Sequence, residues 1–239
     1  MIRRSLAVTA LALLAAAPLS AQMSGMHHDA DKATGGGSLP AGWSSRKDRP
    51  TAPDAKVEMS GKAIHVTSGT AAIYWMEKDK QSVPYKVTAT FTQLKAPSHP
   101  EAYGIFFMGS KLETPEQSYA YLLVRGDGKV MVKHRAGADV HTVMDWTDNA
   151  AVHKQDAAGR ATNTLTVVAS ADSTRLLVND VPVTAIAASY AKADGYVGIR
   201  VNHNLDVQVD DFTVKNERTA KAKADAKAGK LARKSARKS

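Results

Sequence analysis

Cysteine is absent from this 239-residue chain. That excludes a disulfide framework and all thiolate chemistry, and it removes any objection to an oxidising compartment. Long apolar runs are missing too. The longest, from Leu6 to Pro18, is shorter than the ~20 residues a membrane-spanning helix needs. Glutamate is sparse: Glu58, Glu77, Glu101, Glu113, Glu116 and Glu217 are the whole supply. No two of them fall mid-strand on one polar face, so the paired carboxylates of glycoside hydrolysis are not in evidence. No segment shows sustained helical periodicity.

Charge is plentiful but unevenly placed. The formal net charge is +9. The segment 217–239 carries nine lysines and arginines against Glu217 and Asp225, a net of +7, and Arg3 with Arg4 supplies the other +2. The body between is neutral. Basicity therefore belongs to a tail, and the pI says nothing about the folded part.

Four segments follow. Met1-Ile2-Arg3-Arg4, the apolar run and the small residue Ala21 have the order of a secretory signal peptide, so 1–21 is expected to be removed on export to the periplasm or beyond. The Arg3-Arg4 pair leaves the twin-arginine route open as a minority option. Residues 22–40 are polar and rich in Gly and Ser, which reads as a flexible linker. Residues 41–216 form the body. Residues 217–239 are Ala/Lys-rich low complexity with little to bury, a disordered basic tail.

The body is patterned for strands. Tyr85, Val87, Ala89 and Phe91 alternate with Lys86, Thr88 and Thr90. Val197, Ile199 and Val201 oppose Gly198, Arg200 and Asn202, and Leu205, Val207 and Val209 oppose Asp206, Gln208 and Asp210. Period two with one apolar side marks a strand with one buried face. The alternation slips after Asp210, because Phe212 and Val214 become the apolar positions, so a bulge is expected at Asp210-Asp211. Gly126-Asp127-Gly128 and Asn179-Asp180 sit between paired runs as hairpin turns. The alternation yields about twelve strands. So many short antiparallel strands in one neutral body predict an all-β, two-sheet jelly-roll sandwich.

The body, from about Gly42 to Lys215, resembles the concanavalin A-like lectin/glucanase superfamily, particularly small secreted bacterial domains of laminin-G type. The likeness is carried by Tyr119-Ala-Tyr121 ahead of Gly126-Asp-Gly-Lys129, by Asp145–Val152, by Asn163–Asp180 and by Gly195–Val214. It implies a curved jelly roll that binds glycans on one sheet or partners at its rim. Hydrolytic members carry Glu-x-Asp-x-x-Glu on one strand. This chain has no such run.

Candidate ligand-binding residues are rings and hydrogen-bonding groups on non-core faces, since sugars present C–H faces to rings and hydroxyls to polar groups. They are Trp75, Tyr119, Tyr121, Arg125, Trp146, Arg200 and Asn202, with His134 either among them or turned to the core. Met23, Met26, His27, His28, Asp29 and Asp31 could take copper or zinc, or be an incidental polar linker. Asp210 or Asp211 could join a structural calcium; otherwise no cofactor is expected. His65, His99, His141 and His153 are scattered, with no assembled Ser/His/Asp group. The tail would meet polyanions of a cell envelope, or merely solubilise. It has no aromatics to stack on nucleic-acid bases. The expected function is non-catalytic carbohydrate or envelope binding. A glycoside-processing enzyme with an unusual acid set and a structural envelope protein remain as alternatives.

Overall fold

The computed structural model describes residues 38–218. The expected signal peptide, nearly all of the linker, His27, His28 and all but the first two tail residues lie outside the described residues. In chain order the strands are β1 (Trp43–Lys47), β2 (Lys56–Ser60), β3 (Ala63–Thr67), β4 (Ala72–Gln81), β5 (Tyr85–Gln93), β6 (Ala102–Ser110) and β7 (Ser118–Arg125). They continue as β8 (Lys129–Ala136), β9 (Asp139–Asp148), β10 (Ala161–Ala169), β11 (Ser173–Val178), β12 (Val181–Ala187), β13 (Gly195–Val201) and β14 (Asp206–Asn216).

These fourteen strands make two seven-stranded antiparallel sheets. The front sheet has the order β1-β4-β13-β6-β7-β8-β9 and the back sheet β12-β11-β10-β5-β14-β3-β2. The protein is thus an all-β jelly-roll sandwich, as the alternation indicated. Between the sheets lies the main core, where Phe91 of the back sheet stacks on Tyr103 of the front with ring centroids 5.5 Å apart. Among the described residues no helix is long and apolar enough to cross a membrane.

Local chemistry explains the turns. Asn179 and Asp180 both have positive φ, 49° and 64°, as a two-residue hairpin matched to strand twist requires. Asp211 has φ 52°, and the β14–β5 register shifts between Asp210 and Thr213, so the expected bulge is present. Two strands escaped the sequence pattern. β1 (WSSRK) has no apolar alternation because it is an edge strand, and β2 is a five-residue edge on the opposite sheet, with Met59 left exposed.

The two sheets treat their outer faces differently. β5 alternates between buried and partly exposed positions, as one buried face requires. On the front sheet, β6 is buried at eight consecutive positions and β7 at six. The front sheet therefore buries side chains on both faces, and its outer face carries an apolar cluster of its own.

Candidate functional site

The outer face of the front sheet is assembled by register. Arg46 on β1 lies opposite Ile73 on β4, which lies opposite Arg200 on β13, then Gly104 on β6, Leu123 on β7 and Met131 on β8. A parallel row runs from Trp75 through Gly198 and Phe106 to Tyr121. Gly198 is required there: a Cβ would stand 2.5 Å from the Phe106 ring and 2.2 Å from the Tyr74 carbonyl oxygen. Its missing side chain lets that ring settle on the sheet. Tyr119 packs edge-on against Phe106, and Leu112 from the β6–β7 loop joins the same cluster. Arg46 Nη1 donates to the Leu112 carbonyl at 2.9 Å, tying that loop to the edge strand.

Into this apolar bed the chain sets a charged network. Arg200 is buried, 4% exposed, and makes a two-pronged pair with Asp48, Nη2 to Oδ2 at 2.6 Å and Nη1 to Oδ1 at 3.1 Å. It also donates to the Tyr119 hydroxyl at 3.1 Å, and its guanidinium lies 4.8 Å from the Tyr121 ring centroid. Arg135 from β8 reaches the same Asp48 oxygen at 3.5 Å. Burial alone would favour a neutral guanidine, but Asp48 and then Tyr119 reverse that and hold Arg200 firmly cationic. Burial likewise pushes the Asp48 carboxyl up. Arg200, Arg135 and Arg46 outweigh it and keep Asp48 below its ordinary value. The tyrosines are pushed up by burial. The result is a rigid donor–acceptor set with an excess of positive charge. Two of its donors, Nε of Arg135 and Nε of Arg200, have no hydrogen-bond partner.

The residues singled out in the sequence are partly united here. Trp75, Tyr119, Tyr121 and Arg200 share this face, but the three rings are buried at 1–4% exposure instead of standing free. Trp146 packs at the border of the cluster, half-buried, with the Arg125 guanidinium 4.5 Å from its ring centroid. Arg125 in turn pairs with Asp127 in the β7–β8 turn. His134 takes the core-side alternative: it shares parity with Val130 and Val132, bonds the Ser118 hydroxyl at 3.0 Å and faces His141 and Tyr190. Burial, then His141, lowers its pKa. Asp210 accepts a bond from Gln208 Nε2 at 2.8 Å, Asp211 is exposed, and neither joins the front-sheet face.

Asn202 leaves that face. It follows β13 and its side chain bonds Glu101, the residue before β6. The same Glu101 oxygen is met by His99 Nδ1 and His203 Nε2, each at 3.1 Å. Burial raises the Glu101 pKa, while Asn202 and His99 oppose the rise. Sequence reasoning missed Asp48, Arg135, Glu101 and His203 as members of any group. One signal was available for the first: an arginine between Ile199 and Val201 on a buried strand demands a counter-ion.

No protein-family profile and no curated sequence matches the chain. Solved structures do. The carbohydrate binding module CBM66 from Bacillus subtilis superposes with a TM-score of 0.56 at 12% identity, over 73% of this chain and 96% of that one. A protein of unknown function with galectin-like fold, also from Bacillus subtilis, gives 0.52 at 11% identity over 73% and 89%. A glycoside hydrolase family 16 endo-glucanase from Bacteroides ovatus gives 0.52 at 10% identity over 72% and 93%. At such identities the likeness is one of fold. The chain shares the two-sheet jelly-roll architecture of these proteins.

Proposed function

We propose that the body is a non-catalytic carbohydrate-binding domain whose ligand lies against the outer face of the front sheet. The observation that carries this reading is the Arg200–Asp48–Arg135 network, held on rings and facing away from the main core. Sugar sites combine apolar surface with a few preorganised polar groups, and guanidinium–carboxylate pairs offer donors and an acceptor for neighbouring hydroxyls. Trp146, half-buried beside Arg125, supplies ring surface at the border. The neighbour described as a carbohydrate binding module supports the class of ligand. Asp48 itself, held ionised by Arg200, Arg135 and Arg46, is not suited to the role of a glycosidase general acid.

Export by the N-terminal segment and attraction of the basic tail to an anionic envelope complete the proposal. The tail contribution should fall steeply with added salt.

A glycan array with the full chain, followed by calorimetry on the best hit, tests the reading. Arg135→Ala and Trp146→Ala should each weaken binding about tenfold, the usual scale for a central contact. Absence of binding to every glycan at about 1 mM removes the carbohydrate reading.

A further inference from the structure

A second constellation stands at one end of the sandwich, where two loops meet. His99 and Glu101 come from the β5–β6 loop and His203 from the β13–β14 loop, brought together because β6 and β13 are neighbours in the front sheet. One ligand-type atom from each of the three side chains lies within 4.8 Å of the others. His99 Nδ1 and His203 Nε2 are each 3.1 Å from Glu101 Oε1, and the two rings have centroids 5.0 Å apart. We propose that His99, Glu101 and His203 form a binding site for a divalent transition-metal ion of the zinc class.

Bonds of about 2.0–2.1 Å in a tetrahedron place ligand atoms roughly 3.3–3.4 Å apart. The two His–Glu separations of 3.1 Å are close to that, and the third, between the imidazole nitrogens, lies within 4.8 Å and would close to match as the ion binds. The donor set selects the metal class. Two imidazoles with one carboxylate suit zinc and its transition-metal neighbours, whereas calcium and magnesium take oxygen ligands in larger number. Support around the ligands is present as well. Asn202 bonds Glu101 and would orient the carboxylate, and its Oδ1 is buried without a hydrogen-bond partner. Glu101 itself is 8% exposed, and a carboxylate so buried calls for cationic company.

Three protein ligands leave a fourth position open. On the His99–Glu101 side lies a cleft of about 130 Å³, lined also by Gly126, Asp127 and Gln155. Water or a ligand oxygen could complete the coordination from that cleft. The site is separate from the Arg200 network and does not rest on carbohydrate binding there.

Calorimetric titration of chelator-treated, full-length protein with zinc chloride decides the matter, with His27→Ala/His28→Ala as the background so that the N-terminal histidines cannot supply the signal. One zinc per chain should bind, with a rise in Tm. Glu101→Gln and His203→Ala should each lower the affinity at least about tenfold, while His65→Ala leaves it unchanged. Circular dichroism matching the parent confirms that each variant is folded, and Glu101→Gln, which keeps volume and hydrogen-bonding capacity, serves if His203→Ala is not. No binding at about 100 µM zinc overturns the proposal, as do unchanged affinity in the folded variants and a preference for calcium over zinc.

Discussion

On the back sheet, six outward positions of β5 and β10 are threonines, and Lys86 with Val168 continues the two rows. Thr88 meets Thr166 at 3.2 Å, Thr90 meets Thr164 at 2.9 Å and Thr92 meets Thr162 at 3.1 Å, hydroxyl to hydroxyl. On the front sheet, the equivalent outward positions hold Trp75, Phe106, Tyr119, Tyr121 and Arg200. Both faces are built by the same pleat, yet β5 and β10 carry a ladder of small polar pairs while the front face is a bed of rings around buried charges; the back face's own ion pairs, Lys56–Glu58 and His65–Asp206, lie partly open to solvent. The threonines satisfy their hydroxyls across the ladder and present no fixed charge, which is the chemistry of a strand surface made to be a strand surface. The front face spends scarce aromatics and buries a cation outside the main core. Burying an ion is costly unless it is paired. That asymmetry is the physical ground for the proposal that recognition lies on the front sheet.

The comparison can be broken at several points. Phe106 on the front outer face and Phe91 in the main core are both fully buried. If the outer cluster is a true second core, Phe106→Ala costs as much as Phe91→Ala, about 3–5 kcal/mol in urea denaturation. A cost under about 1 kcal/mol at Phe106 would reduce the outer face to ordinary surface.

Next in size is the contrast between two acids. Asp48→Ala strips a buried cation of its partner and should destabilise by about 3 kcal/mol, near the lower end for a broken buried pair. Asp206 pairs with His65 and Lys95, whose side chains are 32% and 63% exposed against 5% for Arg200. Water can take over from Asp206, so Asp206→Ala should cost about 1 kcal/mol or less.

The pH dependence sharpens the same point. The folded state holds the Asp48 pKa below its ordinary 3.8. Its contribution is therefore complete above that value and is lost as pH falls through the depressed one. The stability gap between the parent and Asp48→Asn should stay level from about pH 7 to 5 and narrow below about pH 4. A gap that narrows near neutrality would contradict the assignment. Smallest of all, Thr90→Val with Thr164→Val should shift stability by less than about 1 kcal/mol, since one half-buried hydroxyl pair is exchanged for β-branched methyls.

Much of the sandwich was legible in the chain because period-two alternation is a direct consequence of one buried face. β5, β13 and the first half of β14 read off in this way, and so did the Asn179-Asp180 turn and the Asp210-Asp211 bulge. The edge strand β1 did not, because Trp43-Ser-Ser-Arg-Lys47 shows no apolar alternation. Missing it hid Arg46, on β1, and Asp48, the residue after its end. The site was thus half visible: parity put Tyr119 with Tyr121 on one face of β7 and Arg200 on the polar face of β13, while the carboxylate partner lies 152 residues from Arg200 in sequence. The burial of those rings was also invisible, since parity assigns a face and not what packs on it. The His99–Glu101–His203 group is farther still from local reading. It exists only because β6 and β13 are neighbours, a fact of topology that no spacing within either loop encodes.

Backbone amide and tryptophan indole NMR of isotope-labelled protein, titrated with the strongest glycan from the array, tests the assignment of the binding face most directly. Shifts should concentrate on β7, β8 and β9 around Tyr121, Arg135 and Trp146, with the threonine ladder of β5 and β10 unmoved. Shifts gathered on that ladder, or spread without preference over both sheets, would contradict it.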